Sequence, residues 1–136
     1  MVYGDEYVRF DLGHLLRRYR LAQGIGALVV AHRVEAMAGR NLLEMKHNRR
    51  ITHLWGKGQR VALSGWACSG IYVLPAYAPR LVPPSASDLE NDLLPALLSC
   101  GAEVRAYCVP ADQVVDIGKM EGYERANRLA ALDAGP

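Results

Sequence analysis

The chain has 136 residues, enough for one domain with its own core, and its composition (51% hydrophobic, 22% charged) excludes disorder. The longest uncharged apolar run, Gly24–His32, is too short to cross a membrane. The net charge of +2 hides an asymmetry: residues 1–60 carry 11 Lys and Arg against 5 Asp and Glu, and residues 61–136 carry 5 against 9. Either the two halves face each other and pair, or each is a solvated face, or the first half offers a basic wall to a phosphorylated ligand. Basic residues occur at most in adjacent pairs and are not interleaved with aromatics, so nucleic acid is not an expected partner. Asp5, Glu6 and Arg9 break up the start of the chain, so no signal peptide is expected. Three cysteines without regular spacing point to a reducing cytoplasm rather than a disulfide framework.

Met1–Gly4 reads as a short strand ending at an acidic turn, Asp5-Glu6. Asp11 is placed to cap a helix whose Leu12, Leu15, Leu16 and Tyr19 recur at helical spacing, and Gly24 stops it. Ala27–Ala31 is an unbroken apolar run with two valines, the pattern of a strand buried on both faces. Leu42–Met45 and Ile51–Trp55 flank His47-Asn48-Arg49-Arg50, a hairpin with Asn48 in its turn. Trp66–Leu74 is a further strand, ended by Pro75, and Leu81–Ala86 is a proline-containing loop within the domain. Ser87 and Glu90 read as a capping box for a helix with Leu89, Leu93, Leu94 and Leu97 on its apolar face. Pro95 predicts a kink or break in that helix, and Gly101 closes it. Val104–Val109 and Val114–Ile117 are short strands, and the last helix runs from about Lys119 to Leu132 with Met120, Tyr123 and Ala130 inward. Buried β-runs between helices predict an α/β layered fold rather than a bundle or a sandwich.

Three patterns carry possible chemistry. Gly4-Asp5 follows a strand, where open α/β sheets bind ligands, and the glycine allows a close backbone approach. Asp116 sits among Val114, Val115 and Ile117, and an acid in such a strand needs pairing, capping or a metal. Two such acids from the two ends of the chain suit Mg²⁺, which takes one or two carboxylates plus substrate phosphates. Lys57, between Gly56 and Gly58 after a strand, is able to reach a phosphate as a point charge. Each has a plainer reading: a turn acid, a helix-capping acid and a solvated loop lysine. Cys68, Cys100 and Cys108 lack a metal-ligand spacing, the histidines show no paired motif, and no Gly-x-Ser-x-Gly elbow occurs.

In order and spacing, the segments YGDEYVRFDLGHLLRRYR, NLLEMKHNRRITHLWGKG, CSGIYVLPAY, SDLENDLLPALLSCG and VVDIGKMEGYERAN resemble the latter part of the sugar nucleotidyltransferases, with the sugar-1-phosphate guanylyltransferases (mannose and heptose types) nearest in flavour. The resemblance runs from Val2 to about Asn127. It implies a Rossmann-like α/β fold with a mixed central sheet flanked by helices, residues 1–136 forming a single partial domain truncated at its amino terminus. It implies transfer of a nucleotidyl group from a nucleoside triphosphate to a sugar 1-phosphate with release of pyrophosphate, using Mg²⁺.

Carried over by position, Asp5 and Asp116 are the metal-binding aspartates, and Lys57 contacts the sugar phosphate. Gly4, Lys57, Gly70 and Cys68 are the expected substrate-binding positions, Gly70 matching the glycine of an Asn-Ala-Gly motif. The chain departs from the pattern at Gly56, where the family has a glutamate that accepts sugar hydroxyls, and at Cys68-Ser69, where it has Asn-Ala. The glycine-rich loop whose Arg and Lys hold the triphosphate precedes the matching segments in the family. The resemblance therefore also admits a non-catalytic sugar-phosphate-binding module or an inactive fragment. An α/β sheet without its first strands is expected to show an apolar edge, covered by a second copy or a partner chain.

Overall fold

The computed structural model describes residues 1–35, 40–57, 59, 64–82, 85 and 88–133. Gly58, Pro83, Pro84, Ala86 and Ser87, which figure in the expected lysine loop, proline loop and capping box, lie outside them.

In chain order the elements are β1 (Glu6–Val8), α1 (Leu12–Leu21), β2 (Ile25–Val34), β3 (Leu42–Met45), β4 (Ile51–Trp55) and β5 (Gly65–Val73), then a 3-10 turn (Ala78–Leu81), a wide π-type turn (Leu89–Leu93), α2 (Leu94–Ser99), β6 (Glu103–Val109), β7 (Val114–Asp116) and α3 (Met120–Asp133). Among the described residues, five strands form one mixed sheet in the order β4-β3-β5-β2-β6, in which β2 and β6 run parallel and the other neighbours antiparallel. β1 and β7 form a separate antiparallel ribbon. The sheet is the mixed α/β architecture that the sequence predicts.

The Ala27–Ala31 run explains the layering. Ala27, Val29 and Ala31 face a core shared with Leu93, Leu94 and Leu97 of the π-type turn and α2, whereas Leu28 and Val30 face Leu15 of α1 and Val114 of β7. An alternating strand with apolar residues on both faces needs a layer on each side, and the two clusters supply them. Pro95 occupies the first turn of α2, where its missing N–H costs nothing, so the expected break falls between the π-type turn and α2. The hairpin β3–β4 forms as predicted, and Asn48 Oδ1 accepts from the Arg50 N–H at 3.1 Å.

Several local expectations change. Met1–Tyr3 is held to β5 by a single bridge, Val2 to Ile71, with Tyr3 N–H donating to the Gly70 carbonyl at 2.9 Å; the first strand proper is Glu6–Val8, over the expected acidic turn. Asp11 is the N-cap residue of α1 as expected, and the His14 N–H and the Arg17 guanidinium, 2.9 Å away, hold its carboxyl below the ordinary range. Of the stripe on α1 only Leu15 is buried; Leu12 and Leu16 are exposed. On α3, Ala126 is buried, whereas Met120 and Tyr123 are 71% and 51% exposed. Helical spacing defines an apolar face, but only an opposing element buries it. Charge pairing between the two halves occurs at Arg9, which bonds Asp133 at 2.6 Å and lies 3.7 Å from Asp112.

Candidate functional site

The pairing of Met1–Tyr3 with β5 and the β1–β7 ribbon together bring the two ends of the chain side by side. Glu6 lies opposite Asp116 in the ribbon, and the Ile117 N–H donates to the Asp5 carbonyl at 2.7 Å. Asp5 and Asp116 therefore converge although 111 positions separate them. Asp116 Oδ1 accepts from the Gly118 N–H at 2.9 Å. A Cβ on Gly118 would lie 3.1 Å from Asp116 Oδ1 and 3.3 Å from Asp5 Oδ2, so these two oxygens are at most about 6.4 Å apart. The glycine leaves open the space that both carboxylates face.

Around this pair opens a cleft of about 730 Å³ whose lining includes Asp5, Asp116, Lys57, Cys68 and Gly70. Five of the six expected positions share it. Gly4 lies in the exposed turn beside Asp5 and is not among the lining residues. Gly70 has φ +64°, and a Cβ there would lie 2.9 Å from both Glu6 Oε1 and Tyr3 Cδ2. Its position in this cleft thus has a packing reason: only glycine lets β5 turn beneath the amino-terminal segment. Burial, then the nearby Glu90, pushes the Cys68 thiol well above its ordinary range, so Cys68 presents an uncharged S–H.

Among the lining residues outside the sequence-based set, three are buried or half-buried acid–base side chains. Glu6 is half-buried, and burial, then the carboxylates of Asp116 and Asp5, push it up to about 7. His32 stands at the carboxyl end of β2, buried, with Nδ1 2.8 Å from Ser69 Oγ. Burial, then the charges of Arg40 and Arg125, bring it down to about 4, so the ring is neutral at pH 7. Its signal in the sequence is its place directly after the apolar run of a strand whose parallel neighbour ends alongside it.

Glu90 is the third, and it corrects the capping-box reading. Asp88 is the cap, its Oδ1 accepting from the N–H groups of Glu90 and Asn91 at 2.8 and 2.7 Å. Glu90 turns inward and is buried, accepting from Tyr72 Oη and Asn41 Nδ2. Burial, Cys68 and Glu90 hold the Tyr72 hydroxyl protonated. The same Glu90 lines a second recess of about 480 Å³ with Lys57, Gly56 and Asn91. Asn41 Oδ1, also at this recess, is buried without a hydrogen-bond partner among the described residues. Among the described residues no group of three or more His, Cys, Asp or Glu is arranged to hold a metal ion, so the residues there offer a carboxylate pair rather than a cage.

No family model matches the sequence, and no characterised protein sequence is significantly similar to it. Solved structures are similar in fold. A crystal structure of HddC from Yersinia pseudotuberculosis superposes with a TM-score of 0.70 at 19% identity, over 94% of this chain and 53% of that one. The same protein complexed with GMP-PN gives 0.67 at 19% identity over the same shares. A putative glucose-1-phosphate thymidylyltransferase from Bacillus anthracis, in complex with a sucrose, gives 0.75 at 21% identity, over 95% of this chain and 52% of that one. The mixed α/β fold of this chain is shared with these solved structures. The chain spans about half the length of these structures. No helix among the described residues is long and apolar enough to cross a membrane.

Proposed function

We propose that this chain carries the sugar-phosphate and metal half of a nucleotidyl transfer, in which a nucleoside triphosphate and a sugar 1-phosphate give an NDP-sugar and pyrophosphate. The supporting observation is the gathering of Asp5, Asp116 and Lys57 in one cleft from three distant parts of the sequence. A guanylyl group is the nucleotidyl group proposed, from the sequence resemblance. The neighbour solved with GMP-PN agrees with that choice, and the thymidylyltransferase neighbour shows that the fold itself does not fix the base.

In this reading Asp5 and Asp116 hold Mg²⁺. The open space at Gly118 and the donor set of two hard oxygens suit an ion that keeps its remaining positions for water and phosphate. Bound there, the ion supplies positive charge where phosphate oxygens become more negative. Lys57 holds the phosphate of the sugar 1-phosphate as a point charge, and fixing one reactant in place contributes to rate by orientation. Gly56 presents no carboxylate to the sugar, and Glu90, with a spare lone pair on each oxygen, is the acceptor for its hydroxyls. The cleft is read as cytoplasmic, in keeping with free Cys68, Cys100 and Cys108. A second copy or a partner chain covers the exposed edge at Met1–Tyr3.

Calorimetric titration of a sugar 1-phosphate in the presence of Mg²⁺ tests the reading. Lys57→Ala is expected to weaken binding by about 1.5 to 3 kcal/mol, the value of a charge-assisted hydrogen bond. The side chain is exposed, so the melting temperature should hardly move. Equal binding by both forms returns Lys57 to a solvated loop residue. The absent carboxylate at Gly56 favours a second reading, a non-catalytic module that binds the sugar phosphate; binding without pyrophosphate release on addition of GTP supports that one.

A further inference from the structure

Asp116 stands where the β1–β7 ribbon turns back into α3. A Cβ on Gly122 would lie 1.8 Å from the Asp116 carbonyl oxygen, so the first turn of α3 rests on the Asp116 backbone itself. Gly118 makes the turn, its N–H held by Asp116 Oδ1 at 2.9 Å. Beyond this end α3 has little to grip. It is about 21 Å long at 1.5 Å per residue. It packs chiefly against β7, and Ala126 alone of its residues is buried. So narrow an apolar contact leaves the tilt of the helix on the ribbon to be set by whatever ties its far end.

Arg9 is that tie. Its N–H donates to the Gln113 carbonyl at 2.9 Å, extending the ribbon by one pair at the end away from Asp116. Its side chain then crosses to the last residue of α3. Nε donates to Asp133 Oδ2 at 2.8 Å and Nη2 to Asp133 Oδ1 at 2.6 Å, while Nη1 lies 3.7 Å from Asp112 Oδ2 in the loop before β7. A two-pronged fork fixes direction as well as distance. The last turn of α3 has no basic residue of its own, so Arg9 also supplies the cation that a helix carboxyl end favours. Ribbon, turn, helix and fork thus form a closed frame, with Asp116 at the corner opposite Arg9.

We infer that Arg9 is a positioning residue for the cleft: through Asp133 it fixes the tilt of α3, and so holds the Asp116 carboxylate, with the wall of Gly122 and Arg125 beside it, in the geometry that binds a divalent cation with Asp5. The fixing of α3 stands on the frame alone; the choice of Mg²⁺ as the cation rests on the proposed function.

The test compares the whole native chain with Arg9→Gln, Asp133→Asn and the double variant, by NMR and by calorimetric titration of Mg²⁺. The Gly118 amide reports on Asp116, because its hydrogen bond is to the carboxylate. In each variant the Gly118 amide resonance should move. Exchange of the Tyr123 N–H, which donates to the Lys119 carbonyl in the first turn, should quicken about ten-fold, while Val29 and Val30 of β2 exchange as before. Mg²⁺ binding should weaken about three- to ten-fold in each variant, and no further in the double one, since a single contact is removed. The sign separates position from charge: loss of a cation at Arg9 would by charge alone strengthen Mg²⁺ binding. Arg17→Gln breaks a comparable exposed pair on α1 and should change neither reading. An unmoved Gly118 resonance, Mg²⁺ binding in Arg9→Gln equal to or tighter than native, equal losses in Arg17→Gln, or faster exchange in β2 as well overturns the positioning role. Losses that add in the double variant overturn Asp133 as its route. If Gly118 and Tyr123 respond as expected while the native chain binds no Mg²⁺, the tie on α3 stands and the metal reading of the proposed function fails.

Discussion

Glu6 and His32 face one cleft with opposite displacements, and their opposition predicts the pH dependence of stability. Glu6 moves from 4.5 up to about 7, and His32 from 6.5 down to about 4. As pH rises, the unfolded chain releases the Glu6 proton near 4.5 while the native state keeps it to about 7. The Glu6 contribution is thus fully present below 4.5 and is lost between 4.5 and 7. His32 behaves the other way: its contribution is present above 6.5 and is lost as pH falls to about 4, because the unfolded ring takes up a proton that the buried ring refuses. Each displacement of about 2.5 pH units corresponds to at most about 3.4 kcal/mol. Glu6 is partly exposed and solvent-screened, which reduces its share to about 1 to 2 kcal/mol; buried His32 keeps about 2 to 3. The native chain should therefore lose only about 1 kcal/mol between pH 7 and 4.5 from these two groups. Glu6→Gln leaves His32 unopposed and should steepen that loss to about 2 to 3 kcal/mol. His32→Asn, whose amide oxygen still accepts from Ser69, should reverse the slope, with greatest stability near pH 4.5. Urea unfolding without metal, followed by the fluorescence of Trp55 and Trp66 from pH 4.5 to 7.5, reads all three. Profiles that run parallel in the native chain and both variants would refute the reasoning.

The metal reading predicts that Mg²⁺ raises the melting temperature of the native chain by binding only the folded state, and that Asp5→Asn and Asp116→Asn each abolish the rise; a rise that persists in either variant removes that residue from the site. Gly70→Ala should cost about 2 to 3 kcal/mol in urea unfolding, because a side chain at φ +64° is strained and its Cβ meets Glu6 and Tyr3 at 2.9 Å; an unchanged midpoint would count against the close approach of the amino-terminal segment to β5. Glu90→Gln keeps the shape of the side chain but weakens it as an acceptor. It should reduce affinity for a sugar 1-phosphate by about 1 to 3 kcal/mol and leave inorganic phosphate binding alone, and a loss for both ligands would point to collapse of the recess instead.

What the sequence makes legible is whatever is decided locally or by strong periodicity. The Ala27–Ala31 run is apolar on both parities, so β2 must be covered on both faces, and the layer order follows. Asp5 and Asp116 are visible as acids at strand ends. What brings them together is the register of β1 against β7, three residue pairs that no local pattern announces. Glu90 is misread because Ser-x-x-Glu satisfies a local rule equally well; Asp88, one position beyond Ser87, takes the cap and frees Glu90 to turn inward. His32 at the end of an apolar run reads as an ordinary core residue until its neighbours in space, Ser69, Arg40 and Arg125, are known. Leu12, Leu16, Met120 and Tyr123 show the converse error: their spacing is helical, and the helices form, but the described residues supply nothing to bury them.

The charge asymmetry joins these two kinds of outcome. Counting finds an excess of +6 in residues 1–60, and the fold uses part of it in pairing the halves. Arg9 crosses to Asp112 and Asp133 and ties the halves together, whereas Arg40 and Lys57 line the cleft and form no close ion pair among the described residues. A pairing arginine and a ligand-binding arginine have the same local signature. They differ in whether the fold puts a carboxylate within reach, as it does for Arg9 at 2.6 Å from Asp133. Arg40 and Lys57 instead act on Glu6 and Asp88 without a close ion pair among the described residues. That distinction is geometric, and counting charges along the chain does not reveal it.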